Sequence, residues 1–189
     1  MKKALKIIGI LVGSITLLTV LGAVYINIKG IPQYENKAPE LTVRVDSVGL
    51  AEGARFASMM CANCHRSDDG KLGGSLQKDA ADFGEIYAPN ITQHPEYGIT
   101  HYSDGELAYL LRTGIEKDGT YSPPYMIKLP HLSDEDMNNL IAFLRSAHPM
   151  VQPSDHQTPP SKPNFLAKLL CNVAFKPLPY PNKPIPTPN

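Results

Sequence analysis

The pentapeptide Cys61-Ala62-Asn63-Cys64-His65 restricts what this chain can fold around more than any other stretch. Two thiols three positions apart, followed at once by an imidazole, have the spacing at which cysteines add across the two vinyl groups of a haem. The histidine is then held under the iron as an axial ligand. Competing readings are a structural pair of cysteines, half of a zinc site, or a thioredoxin-like redox pair. Zinc needs about four ligands, and Cys171 is the one further thiol in the chain. A redox pair has no use for His65. The motif therefore predicts one covalently bound haem c, attached through Cys61 and Cys64 and ligated by His65.

Upstream, Ile7 to Ile26 is twenty residues without a charge, twelve of them Ile, Leu or Val. As a helix rising about 1.5 Å per residue this stretch spans roughly 30 Å, one bilayer's hydrocarbon core. Each aliphatic residue favours insertion by about 0.3 to 0.6 kcal/mol near the bilayer centre, so the dozen outweigh Ser14, Thr16, Thr19 and the glycines. Lys2, Lys3 and Lys6 precede the segment and Lys29 follows it closely. The positive-inside bias then keeps the N-terminus cytoplasmic and exports the rest, which is the side of haem attachment. A cleaved signal peptide is the rival reading, but its apolar region runs about 7 to 15 residues and ends in a small-x-small site, which Val20-Leu21-Gly22 matches poorly. The expectation is a retained single-pass anchor, residues 1–28, in the cytoplasmic membrane, with the haem domain on its outer face. Lys plus Arg equal Asp plus Glu at 18 each, so no basic excess points to nucleic acid.

Residues 29–47 read as a tether, with Leu41 to Val45 alternating enough for a short strand. From Gly49, Leu50, Ala54, Ala57 and Cys61 recur at helical spacing, and Asp46 or Ser47 can cap the helix that delivers the motif. Met59 and Met60 are expected as core fillers. Residues 66–88, with Gly70, Gly73 and Gly74, read as an irregular flexible loop. Ser103-Asp104-Gly105-Glu106 is a capping box for a short helix ending at Thr113 before Gly114. Ser133 caps a last strong helix whose inner face is Met137, Leu140, Ile141 and Leu144, with Asp134, Glu135 and Asp136 favourably placed in its first turn.

This order of elements, with the Ala88-Pro-Asn-Ile-Thr92, Leu111-Arg-Thr-Gly114 and Leu132-Ser-Asp-Glu-Asp136 phrases, resembles the class I cytochrome c family over about residues 48–148. It is similar in particular to bacterial membrane-bound cytochromes c related to the cytochrome c subunits of alcohol dehydrogenases. The resemblance implies an all-α fold in which Gly53 of the first helix crosses Phe143 of the last, where only a residue lacking Cβ permits close approach. It also implies that the Pro89 carbonyl accepts from His65 and leaves the other imidazole nitrogen for iron. The sixth ligand is expected from the loop between the middle and closing helices. Met126 sits there behind Pro123 and Pro124, which lower the entropy lost on positioning it. His131 is the alternative; Met137 falls on the core face of the closing helix and Met150 beyond it. Tyr102 and Arg112 are candidates for a propionate contact but are read first as ordinary core or surface residues.

Beyond His148 the composition shifts, since 11 of the 18 prolines lie in residues 149–189. This reads as an extension rather than a second globular domain, with one amphipathic helix at 164–176 that carries Cys171 as a buried thiol and is expected to dock its apolar side on the haem domain, the membrane surface and a partner protein being the alternatives. In longer proteins of the kind resembled, such a stretch leads into a second haem domain. The whole implies an electron carrier without a substrate of its own, taking electrons from a dehydrogenase or quinol-oxidising complex and passing them towards an oxidase. Two rivals remain: a haem-bearing docking subunit of a larger dehydrogenase complex, and a haem enzyme or gas sensor with a labile distal position.

Overall fold

The uncharged segment lies inside one long helix, α1 (Lys2–Lys29), on which no side chain is buried. The computed structural model describes residues 2–188, and among these α1 alone is long and apolar enough to cross a membrane. Two of its hydroxyls are satisfied within the helix, as a lipid environment favours: Thr16 and Thr19 donate to the carbonyls of Val12 and Ile15, each at 2.9 Å.

The rest is built on helices that start and stop at the signals local chemistry supplies. Asp46 caps α2 (Ser47–Phe56) by accepting from the Gly49 amide. The chain continues through a wide π-turn, Ala57–Cys61, into α3 (Ala62–His65). That wider turn rotates the residues after it relative to a regular α-helix, and such turns are frequent at functional sites. The capping box of Ser103 and Glu106 opens α4 (Asp104–Thr113), and Gly114 ends it at φ 82°. Ser133 opens α5 (Asp134–Leu144). The expected crossing is present: a Cβ at Gly53 would meet the Asn139 carbonyl and Phe143, so α2 and α5 approach backbone to side chain. Met137, Leu140, Ile141 and Leu144 all lie in the core.

Four expectations change. Residues 66–88 are ordered, because β1 (Ser75–Leu76) pairs antiparallel with β3 (Tyr87–Ala88), a 3-10 turn spans Lys78–Phe83, and Leu72 is buried. The segment after α1 forms no strand at Leu41 to Val45 and lies along the domain: the Tyr34 amide donates to Gly119 at 2.8 Å and the Val43 amide to Asp104 at 3.1 Å. Met59 is 56% exposed instead of filling the core. The C-terminal helix, α6 (Phe165–Val173), is shorter than 164–176 because Asn164 caps it and Ala174 leaves the helical conformation.

The Pro-rich extension also wraps the domain. Val151 is fully buried in the main core, and the Asn90 amide donates to the Ser154 carbonyl at 2.8 Å. Further along, β2 (Gly84–Glu85) pairs with β4 (Lys162–Pro163), the Leu178 amide donates to Thr113 at 3.1 Å, and Tyr180 stacks on Tyr109. Truncation after Met150 is therefore expected to lower stability by at least about 2 kcal/mol from Val151 alone. Denaturant unfolding followed by far-ultraviolet dichroism checks this; an unchanged midpoint would show the extension to be a passive tail.

Candidate haem-binding site

His65 ends α3 with its imidazole 8% exposed, and its Nδ1 lies 2.8 Å from the Pro89 carbonyl oxygen. A carbonyl can only accept, so Nδ1 carries the proton and Nε2 keeps its lone pair for a metal. Burial holds this imidazole below its usual pKa, partly offset by the Pro89 bond, so it is neutral. The loop that follows is tied back onto the motif: the Gly74 amide donates to the His65 carbonyl at 2.7 Å, and Ser75 Oγ and Gln77 Nε2 both donate to the Cys64 carbonyl.

Cys61, Cys64, His65, Pro89 and Met126 line one cavity of about 490 Å³. Ile86, Ile91, Ile99, Leu111 and Leu129 supply much of its wall. Protein interiors are close-packed, so a space this large with apolar walls and a few convergent polar atoms has the form of a ligand site. Both thiols and the imidazole opening onto it fit a haem. The alternatives fit less well. Among the described residues no group of three or more His, Cys, Asp or Glu could hold a metal ion. Burial, then the neighbouring Cys64, pushes the Cys61 thiol up to about 11, the opposite of an activated thiolate.

Met126 follows a tight turn in which its amide donates to the Pro123 carbonyl at 3.1 Å, and Ser122 Oγ donates to its sulfur at 3.4 Å. His131 is exposed and does not line the cavity. Arg112 is only 2% exposed; it donates to the carbonyls of Pro130 and Leu132 and pairs with Asp134 at 2.7 Å. It thus ties the loop to the start of α5.

Among the wall residues that sequence reasoning missed are Met60, His101 and Glu116. Glu116 follows α4 in a turn that the Ile115–Tyr121 bridge folds back against the domain. Burial first, then Asp118, pushes its carboxyl up to about 7, with Lys128 opposing. No local pattern marks it, because a lone Glu after a Gly-capped helix looks like a solvated turn residue.

The cytochrome c family model matches residues 50–148, a span that contains every cavity residue named above. The cytochrome c subunit of the quinone-type alcohol dehydrogenase of Gluconacetobacter polyoxogenes is 34% identical over 116 residues, 59% of this chain and 25% of that protein. A nicotinate dehydrogenase subunit of Pseudomonas putida is 37% identical over 95 residues, 49% of this chain and 8% of the relative. The fructose dehydrogenase cytochrome subunit of Gluconobacter japonicus is 32% identical over 108 residues, 56% of this chain and 22% of the relative. The chain thus spans about a quarter or less of the length of these relatives.

Proposed function

The chain belongs to the cytochrome c family, and from that premise we propose that it carries one haem c and relays electrons at the outer face of a membrane crossed by α1. The observation that carries the reading is His65 at the cavity wall, with Nδ1 on the Pro89 carbonyl and both motif thiols beside it. When bound, haem supplies a one-electron couple at its iron. The chain's own residues do the rest. Cys61 and Cys64 would hold the group by two bonds, and Pro89 keeps the His65 ring aimed. Met126 would take the sixth position, supported by its place on the cavity wall and by the exposure of His131. Aliphatic walls exclude water, which together with a thioether ligand raises the reduction potential. With His65 and Met126 both on the iron, no position would be left there for a substrate, which supports a carrier rather than an enzyme.

Lys2, Lys3 and Lys6 ahead of the span support the reading of a cytoplasmic N-terminus for α1. The names of the relatives favour a dehydrogenase as electron donor, either met transiently or joined as a subunit, with a quinol-oxidising complex as another donor and an oxidase as acceptor. Haem-linked peroxidase staining after denaturing electrophoresis tests the attachment. Wild-type protein from exported, membrane-bound fractions is expected to stain, and Cys61→Ala or Cys64→Ala to weaken or abolish the stain. An unstained wild-type band would reject the carrier, and rapid binding of carbon monoxide by the wild type would favour a sensor or enzyme.

A further inference from the structure

Helix α6 touches two things at once. Ala167 and Cys171, one turn apart, are buried against the haem domain, and Asn164 ties the helix start to the 3-10 turn by donating Nδ2 to the Asp82 carbonyl at 2.9 Å. About a quarter turn around the helix, Lys168 Nζ donates to Asn27 Oδ1 at 2.8 Å and Asn172 Nδ2 donates to the Gly30 carbonyl at 2.9 Å. Both partners lie at the outer end of α1. On the side away from the haem domain, Phe165, Leu166, Leu169 and Val173 fall within roughly 100° of arc at 3.6 residues per turn. Phe165 is 43%, Leu166 44% and Val173 64% exposed.

The two bonds also bring α6 against the outer end of α1 and give this face a direction and an approximate height. Residue 168 meets residue 27 and residue 172 meets Gly30, so α6 runs alongside α1 in the same sense. Three residues back from Lys168, at about 1.5 Å each, Phe165 reaches the level of Val24, inside the uncharged span that ends at Ile26. Tyr25 sits one residue beyond this level, and Lys29, about 7.5 Å further out along the axis than Val24, brings its ammonium to 5.8 Å from the Tyr25 ring centroid. Tyrosine and lysine are the side chains that mark a membrane–water interface. Exposed aliphatic and aromatic side chains at that height meet lipid as soon as α1 spans.

We propose that the first turn of α6 enters the bilayer interface through Phe165 and Leu166, so that this short helix clamps the haem domain at one height and tilt above the membrane. This rests on the anchored reading of α1. A chain anchored by α1 alone could swing its domain about the end of the helix. With a second contact through α6 it presents one side to partners that share the membrane.

Site-directed spin labelling of the full haem-loaded chain in phosphatidylcholine–phosphatidylglycerol vesicles tests it. With Cys61 and Cys64 taken up by haem and Cys171 replaced (Cys171→Ala), single labels are placed by Ile15→Cys, Phe165→Cys, Leu166→Cys, Val173→Cys and Asp155→Cys. Collision rates with dissolved oxygen and with an aqueous nickel chelate give the depth of each. The expected order is 15 deepest, then 165 and 166 with several-fold higher oxygen preference than 155, and 173 between 166 and 155. Labels 165 and 166 as aqueous as 155, with 15 still in lipid, would overturn the proposal and leave this face to a protein partner. An aqueous label at 15 would overturn the anchored reading, and this proposal with it.

Discussion

Met126→Ala is expected to abolish the weak long-wavelength absorption band of the sulfur–iron bond in the oxidised protein and to open the iron to carbon monoxide. The sulfur lies on the cavity wall, receives the Ser122 hydroxyl at 3.4 Å, and is carried by a loop that Pro123 and Pro124 stiffen. Alanine leaves that loop in place, since the Met126 backbone turn on Pro123 does not need the side chain, so the change falls on ligation rather than folding. Loss of a thioether ligand also lowers the reduction potential, because thioether donation favours the reduced iron. His131→Ala, at an exposed position off the cavity, is expected to change neither the band nor carbon monoxide binding. The reverse pattern would give the sixth position to His131.

Gly53→Ala is expected to destabilise the protein by about 3 kcal/mol or more, at the upper end of overpacking in a close-packed core. Alanine is the better helix former by about 1 kcal/mol, so intrinsic propensity alone predicts a gain. The contact decides the sign. A Cβ there would sit 2.7 Å from the Asn139 carbonyl carbon and 2.7 Å from Phe143 Cβ. Neither of those atoms can rotate away, so α2 and α5 have to separate along their crossing. Gly13→Ala, where nothing lies within 4 Å, is the control for the added methyl and, in the anchor helix, is expected not to lower the midpoint of denaturant unfolding. Equal midpoints for Gly53→Ala and wild type would mean that the two helices are not held as close as this.

The features legible from sequence share one physical property: each depends on residues within about one or two helical turns. The Cys61 to His65 spacing, the Ser103–Glu106 capping box, the Ser133 cap and the stripe of Met137, Leu140, Ile141 and Leu144 are of this kind, and all four local structures are found where expected. Resemblance extended the reach to two non-local pairs, Gly53 with Phe143 and His65 with Pro89, which the structure brings together.

The rest rests on partners far apart in the chain. Residues 30–46 and 149–188 have tether-like composition, yet Tyr34 bonds to Gly119, Val151 enters the core, and Leu178 bonds to Thr113. Proline-rich segments show no periodicity when their amides and carbonyls are satisfied by another part of the molecule rather than by themselves. Arg112 looks like a surface cation until its fork is seen closing on two loop carbonyls and Asp134. By itself the sequence determined the haem motif, the apolar span, the helices and their caps, because local spacing and solvation control those. Only the tertiary structure decided which residues wall the cavity and how α6 joins the haem domain to α1, because the first depends on contacts across tens of residues and the second on contacts across 141 and 142.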